Sequence, residues 1–117
     1  MRTTLDLARG SRHVELDAGG RVVRVTVRQL FVLRAVSRVP SGEGFSIRGC
    51  ARRLRVCEQT ARHAVVRLAQ LGLVTVRARR MPNGGQLENA CELTAAGLAA
   101  LESANRYRLA WKEERDA

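Results

Sequence analysis

The residues with the clearest chemistry in this sequence are its arginines. Residues 44–86 contain nine arginines and a single acidic residue, Glu58, whereas residues 1–43 contain eight basic and four acidic residues and residues 87–117 contain four basic and six acidic ones. A guanidinium group offers a planar fork of N–H donors that fits phosphate oxygens and the edge of guanine. Because a net charge of +10 on 117 residues repels itself, an anionic partner is expected. The middle third of the chain is therefore predicted to bind a polyanion.

The sequence has no pattern typical of a catalytic or metal site. It contains no glycine-rich phosphate loop and no serine, histidine and acid constellation. Its three cysteines, Cys50, Cys57 and Cys91, match no zinc-binding spacing. We interpret them as small apolar residues, with a redox-sensing thiol as the alternative. No enzymatic activity, metal or cofactor is predicted.

Length and hydropathy predict one small domain in the cytoplasm. A chain of 117 residues, 45% of them apolar, is long enough for a single core. No run of about 18 apolar residues is present, so no membrane span is predicted. The first residues carry charges where a signal peptide would have an apolar stretch.

The first quarter of the chain predicts a hairpin followed by a scaffold helix. The segment HVELDAGGRVVRVT, residues 13–26, alternates apolar and polar residues on both sides of a Gly-Gly turn. Thr26 and Gln29 have the spacing of a capping box, which predicts the start of a helix. Dense apolar residues follow, so this helix is expected to be buried on most sides and to end before Pro40.

The basic region predicts two short helices joined by a tight turn. Ser46 is a good N-cap for a helix that runs to about Arg55, and a second helix is expected from Glu58 to Leu71, with Gly72 closing it. Each helix has an apolar stripe, and the arginines lie off these stripes. This is the pattern of a helix-turn-helix unit.

The remaining sequence predicts a β-hairpin and a final helix. Two strand-like runs flank the turn residues 82–85, and Thr94 is positioned to cap a helix over residues 95–117. The predicted fold class is mainly α with a small β wing, a winged helix-turn-helix. Residues 1–25 are assigned to an N-terminal arm or hairpin, residues 26–94 to the winged helix-turn-helix domain, and residues 95–117 to a C-terminal dimerisation helix.

Three segments resemble the bacterial winged helix-turn-helix regulators of the MarR and PadR type. SIRGCARRLRVCEQTARHAVVRLAQLGLV is similar to their helix-turn-helix, TVRARRMPNGGQLENACELT to their wing, and LTAAGLAALE to the start of their last helix. The resemblance covers about residues 45–103 and implies double-stranded DNA as the partner. The chain departs from the pattern at Arg55, where a small residue is usual, and at Cys57, where a serine or threonine is usual. It also has a hairpin where MarR proteins have a long dimerisation helix.

Polar side chains near the start of the second helix of the unit are the candidates for reading bases, because such a helix lies in the major groove with its first turns against base edges. A solvated helix face is the alternative interpretation. The candidates for base contact are Glu58, Gln59, Thr60, Arg62 and His63.

Phosphate contacts are expected from the surrounding residues, since such contacts supply affinity without reading sequence. The candidates around the helix-turn-helix are Ser46, Arg48, Arg52, Arg53, Arg55 and Arg67, and those on the wing are Arg77, Arg79, Arg80 and Asn83. Alternation along a strand sends Arg77 and Arg79 to one face and Arg80 to the other. At least one wing arginine is therefore expected to miss the DNA.

The C-terminal helix is the predicted dimer contact. The residues assigned to this interface are Leu98, Leu101, Ala104, Tyr107 and Trp111. The alternative is that these side chains fold back on the helix of residues 26–38 within one chain.

Taken together, these patterns predict a sequence-specific transcriptional regulator, a repressor that binds a palindromic operator as a homodimer. One alternative is a plasmid or phage protein for partition, replication or excision, and another is a winged helix used as a protein or RNA adaptor. No small-molecule effector can be assigned from the residues.

Overall fold

The structure is a computed structural model that describes residues 3–110, apart from the side chain of Gln86. Its helices are α1 (Val27–Ser37), α2 (Ile47–Leu54), α3 (Glu58–Gln70) and α4 (Ala95–Ser103). Its strands are β1 (Thr3–Asp6), β2 (His13–Asp17), β3 (Val22–Thr26), β4 (Val74–Arg80), β5 (Gln86–Leu93) and β6 (Tyr107–Ala110). They pair as β1 with β6, β2 with β3, and β4 with β5.

Helix α1 lies at the centre of the core. Leu30, Phe31, Val32 and Leu33 are consecutive and fully buried, so the helix is covered on most sides as its sequence predicts. The capping box at its start is present, because the Thr26 hydroxyl accepts from the Gln29 backbone N–H and the Gln29 side chain accepts from the Thr26 N–H. Two otherwise unpaired N–H groups are thereby satisfied.

The N-terminal hairpin forms as predicted. Strands β2 and β3 are antiparallel, and their inward side chains belong to the same core as α1. The turn needs the two glycines, Gly19 and Gly20, whose φ angles of 85° and 103° are costly for residues with a Cβ atom. The Asp17 carboxylate accepts hydrogen bonds from both glycine N–H groups.

The wing consists of the antiparallel strands β4 and β5, with an irregularity in register between Arg77 and Arg79. The segment before α2 extends this sheet, because Gly44 bridges to Ala90 and the Phe45 N–H donates to the Asn89 carbonyl at 2.8 Å. The helix-turn-helix and the wing are thus joined through the backbone.

The prediction of a helix over residues 95–117 is wrong for residues 104–110. Residues 104–106 form a single 3-10 turn, and Tyr107–Ala110 then pair in parallel with β1, residue by residue from Thr3–Tyr107 to Asp6–Ala110. The pairing satisfies backbone groups of both strands and covers Leu5, which is 1% exposed. Residues 111–117, and Trp111 with them, lie outside the described residues.

The fold class was only partly predicted. The winged helix-turn-helix is present, but about 44% of the described residues are helical and 31% lie in strands, so "mainly α" understates the strands. Strands β1 and β6 account for much of the difference. Within residues 3–110 no helix is long and apolar enough to cross a membrane.

The turn after α3 is held from several directions. Arg21, at the tip of the N-terminal hairpin, donates to the Leu71 carbonyl at 2.5 Å, and the Thr94 hydroxyl donates to the Gly72 carbonyl at 2.6 Å. The Thr94 N–H also donates to the Leu73 carbonyl. Gly72 has φ 76°, the left-handed geometry usual after a helix end. We call residues 71–73 the α3 exit turn.

Gly97→Ala is expected to destabilise the protein by about 1–3 kcal/mol, the cost usual for overpacking. Gly97 lies in the first turn of α4, and a Cβ atom there would overlap the backbone carbonyl of Leu73, which the exit turn holds in place. Urea denaturation measures the loss. Gly49→Ala is the matched control, because a Cβ atom there meets only the Ser46 side chain. Equal stability of the two variants would contradict the close packing of α4 on the exit turn.

Candidate nucleic-acid interface

The two helices of the basic region are joined by a turn of unusual backbone geometry. Arg55 ends α2 with φ 57° and ψ 45°, the only non-glycine residue of the described chain at positive φ. Its N–H still donates to the Arg52 carbonyl, and the Val56 N–H donates to the Ala51 carbonyl. The left-handed residue lets α3 begin at Glu58, three residues later. Arginine thus occupies a position that glycine would adopt at lower cost.

Helix α3 buries one stripe and exposes the opposite face. Its buried side chains are those of Ala61, Ala64, Val65 and Leu68. The exposed ones are those of Glu58, Gln59, Arg62, His63, Val66, Arg67 and Gln70. Four of the five predicted base-contacting residues therefore share one exposed face. The fifth, Thr60, is half-buried.

Two of these side chains are hydrogen-bonded to each other. Gln59 Nε2 and His63 Nε2 are 2.9 Å apart, one helical turn from each other. The contact aligns an amide and an imidazole along the exposed face. Both groups can donate and accept hydrogen bonds, as readout of base edges requires.

Glu58 is paired with an arginine of the neighbouring helix. Its carboxylate lies 3.4 Å from Arg48 Nε, and both side chains are largely exposed, so the ion pair contributes little to stability. The contact links the start of α3 to α2. It also offsets the single negative charge of the basic region.

Cys57 does not fit the interpretation of the cysteines as buried apolar residues. Cys50 and Cys91 are buried, and burial raises the pKa of the Cys91 thiol. Cys57 is exposed at the N-cap of α3, with its Sγ 3.1 Å from the Thr60 hydroxyl. Hydrogen bonds from Thr60, the hydroxyl first and then the backbone N–H, lower the pKa of the Cys57 thiol. The interpretation is therefore wrong for this residue.

The predicted phosphate contacts surround α3. Ser46 caps α2, its hydroxyl accepting from the Gly49 N–H at 2.9 Å, so it supports the helix start. The arginines of this set are all exposed: Arg48, Arg52, Arg53, Arg55 and Arg67.

Two wing arginines make contacts within the protein. Arg77 lies 3.3 Å from the carboxylate of Glu92, which also accepts from the Ser41 hydroxyl and the Gly42 N–H. Arg79 donates to the Glu88 carbonyl at 3.4 Å. Both arginine contacts join the two strands of the wing, and Glu92 in addition joins the wing to the segment before α2. The hydrogen bonds from Ser41 and Gly42, followed by the charge of Arg77, lower the pKa of Glu92.

The other two wing residues lie near its tip. Arg80 is exposed at the end of β4. The Asn83 side chain accepts from the Gly85 N–H at 2.9 Å and stabilises the turn.

A groove of about 970 Å³ separates α3 from the wing. Arg48, Glu58 and Arg62 line one part of it, and Val66 of α3 and Val76 of β4 line another. The two valines are 48% and 40% exposed. Neither valine was predicted to belong to the site, because the predicted site residues of these elements are all polar. Their place off the buried stripes was the available signal.

The predicted dimer residues do not form one helical face. Leu98 is 51% exposed on α4, Leu101 and Tyr107 are half-buried against the core, and Ala104 is buried at 5% exposure. Ala104 therefore packs within the core of one chain. Tyr107 lies in β6, outside any helix.

Comparison with solved structures shows the fold. The chain is similar to a multiple antibiotic-resistance repressor (MarR) from Listeria monocytogenes 4b F2365, with 20% sequence identity and a TM-score of 0.52. The match covers 79% of this chain and 55% of that one, so the chain spans just over half the length of its structural neighbour. The predicted resemblance to the MarR type is confirmed as a winged-helix fold. No protein-family model and no curated protein matches the chain.

Arg55→Gly is expected to be about 1 kcal/mol more stable than Arg55→Ala, because a Cβ atom is unfavourable in the left-handed region. Both variants lose the same guanidinium group, so the difference isolates the backbone. Denaturant midpoints measure this difference in stability. Both variants should bind DNA more weakly than the wild type, and by the same factor. Equal midpoints would show that residue 55 is not held in this conformation.

Proposed function

We propose that this protein is a sequence-specific, double-stranded-DNA-binding transcriptional regulator that acts in the cytoplasm and has no enzymatic activity. The observation that carries the proposal is the exposed face of α3. It presents Gln59, Arg62 and His63 together, on the second helix of a helix-turn-helix with a wing beside it. A helix of this composition supplies donors and acceptors for base edges in the major groove.

The surrounding charge supports the same function. Exposed arginines flank α3 on α2, on the turn and on its own last turn, where they can neutralise phosphates on both sides of a groove. The wing is fixed to the segment before α2 by Glu92, which accepts from Ser41 and Gly42, and by the backbone hydrogen bond from Phe45 to Asn89. It can therefore lie against the adjacent backbone without first becoming ordered.

We further propose that the protein is a repressor that binds a palindromic operator as a homodimer. One winged helix of this size contacts few base pairs, and two half-sites one helical turn apart supply the missing specificity. Leu98, half exposed on α4, is the described residue of the predicted interface that remains available to a partner. Sedimentation at tens of micromolar tests this part, and a monomer there would contradict it.

Binding to duplex DNA should weaken steeply with salt. If about six arginines reach phosphates, log K against log salt should have a slope of about −5, because each neutralised phosphate releases counterions. Fluorescence anisotropy with a labelled duplex at several salt concentrations measures the slope. A slope shallower than about −2 would argue against nucleic acid as the partner.

Arg62→Ala should relax specificity at one base position and cost about 1–3 kcal/mol on a selected site. Arg52→Ala, an equal loss of charge on α2, should weaken selected and random duplexes alike, since phosphate contacts carry no sequence information. The measurement is the ratio of the two affinities for each variant, on a site selected from a random duplex pool. An unchanged ratio in Arg62→Ala would rule out base contact by this residue. A wild type that prefers no duplex would favour the adaptor function.

A further inference from the structure

Val66 is the exception on the exposed face of α3. It lies one turn after Arg62 and two turns after Gln59, so all three side chains are on the same side of the helix. The neighbouring Val65 is 6% exposed and belongs to the core, whereas Val66 is 48% exposed. Val66 is thus a solvent-exposed apolar side chain surrounded by exposed polar ones.

Val66 does not serve to pack the wing against α3. Of the wing residues that line the groove, Val76 is itself 40% exposed and Leu87 is half-buried. A valine that served to fix the wing would be covered by it. The wing is instead held by Glu92, which accepts from Ser41 and Gly42, and by the Phe45 N–H, which donates to the Asn89 carbonyl. Val66 therefore keeps an apolar surface available at the face that carries the base-reading candidates.

We infer that Val66 is a specificity-determining residue that contacts the 5-methyl group of a thymine in the major groove. This inference rests on the proposed function. The thymine methyl is the one apolar group that base pairs present in the major groove of unmodified DNA, and a small apolar side chain is its complement. Four residues along a helix correspond to about 6 Å, so Val66 reaches a base pair one or two steps from the one that Arg62 reads.

The test removes the methyl group from the DNA and the valine from the protein. Sites are first selected from a random duplex pool with the wild type, and each thymine is then replaced singly by deoxyuridine, which lacks the methyl group and keeps every hydrogen-bonding group. At one thymine of each half-site the replacement should lower wild-type affinity about fourfold, the loss expected for one buried methyl group. Val66→Ala should show no loss at that thymine.

Val76→Ala is the matched control, since it makes the same change at an exposed valine across the groove, and it should keep the wild-type sensitivity to deoxyuridine. Val66→Ala should fold, because alanine is a better helix former than valine at an exposed position, and thermal melting verifies this. If Val66→Ala remains as sensitive as the wild type at every thymine, the inference is overturned while the proposed function stands. A pool that yields no enriched sequence overturns both.

Discussion

The orientation of α3 depends on the α3 exit turn, residues 71–73. Two segments far apart in sequence contact it: the hairpin through Arg21, and the start of α4 through Thr94 and Gly97. The last carbonyls of a helix have no partner within the helix, so they need one from elsewhere. A guanidinium group beside them is also attracted by the negative end of the helix dipole. The direction of α3 is therefore set at the end farther from the residues predicted to contact bases.

Some arginines of the basic region make contacts within the protein, a role distinct from the phosphate contacts predicted for this region. Arg48 and Arg77 lie beside carboxylates, and Arg77 and Arg79 connect the two strands of the wing. Surface pairs of this kind add little stability, but they restrict the side chains and join neighbouring elements. Glu92 illustrates the second effect, since a single carboxylate holds Ser41, Gly42 and Arg77 together. Charge counted along the sequence therefore overstates what is available for phosphates.

Local signals in the sequence predicted the starts of helices well, because a cap and its partner are three residues apart. Thr26, Ser46 and Thr94 each accept from the backbone N–H three residues later, as predicted. The same reasoning failed after Ser103, where apolar spacing suited a helix. The parallel pairing of β6 with β1 joins residues about 100 positions apart, and no local pattern encodes it. The Arg21 contact with Leu71 escaped prediction for the same reason, since it joins residues 50 positions apart.

The arrangement has a consequence for interpreting arginine variants of this protein. Arg21 and Arg62 both bear on α3, yet Arg62 lies on its exposed face near the start and Arg21 binds beyond its end, on a helix about 20 Å long. Under the proposed function, loss of either side chain would lower the apparent affinity for a specific duplex, for Arg62 by removing a contact with DNA and for Arg21 by loosening α3. Affinity alone does not separate the two causes. The free energy of unfolding without DNA does separate them. Arg21 stabilises the free protein through a backbone carbonyl, whereas an exposed side chain that contacts only DNA adds no stability until DNA is bound.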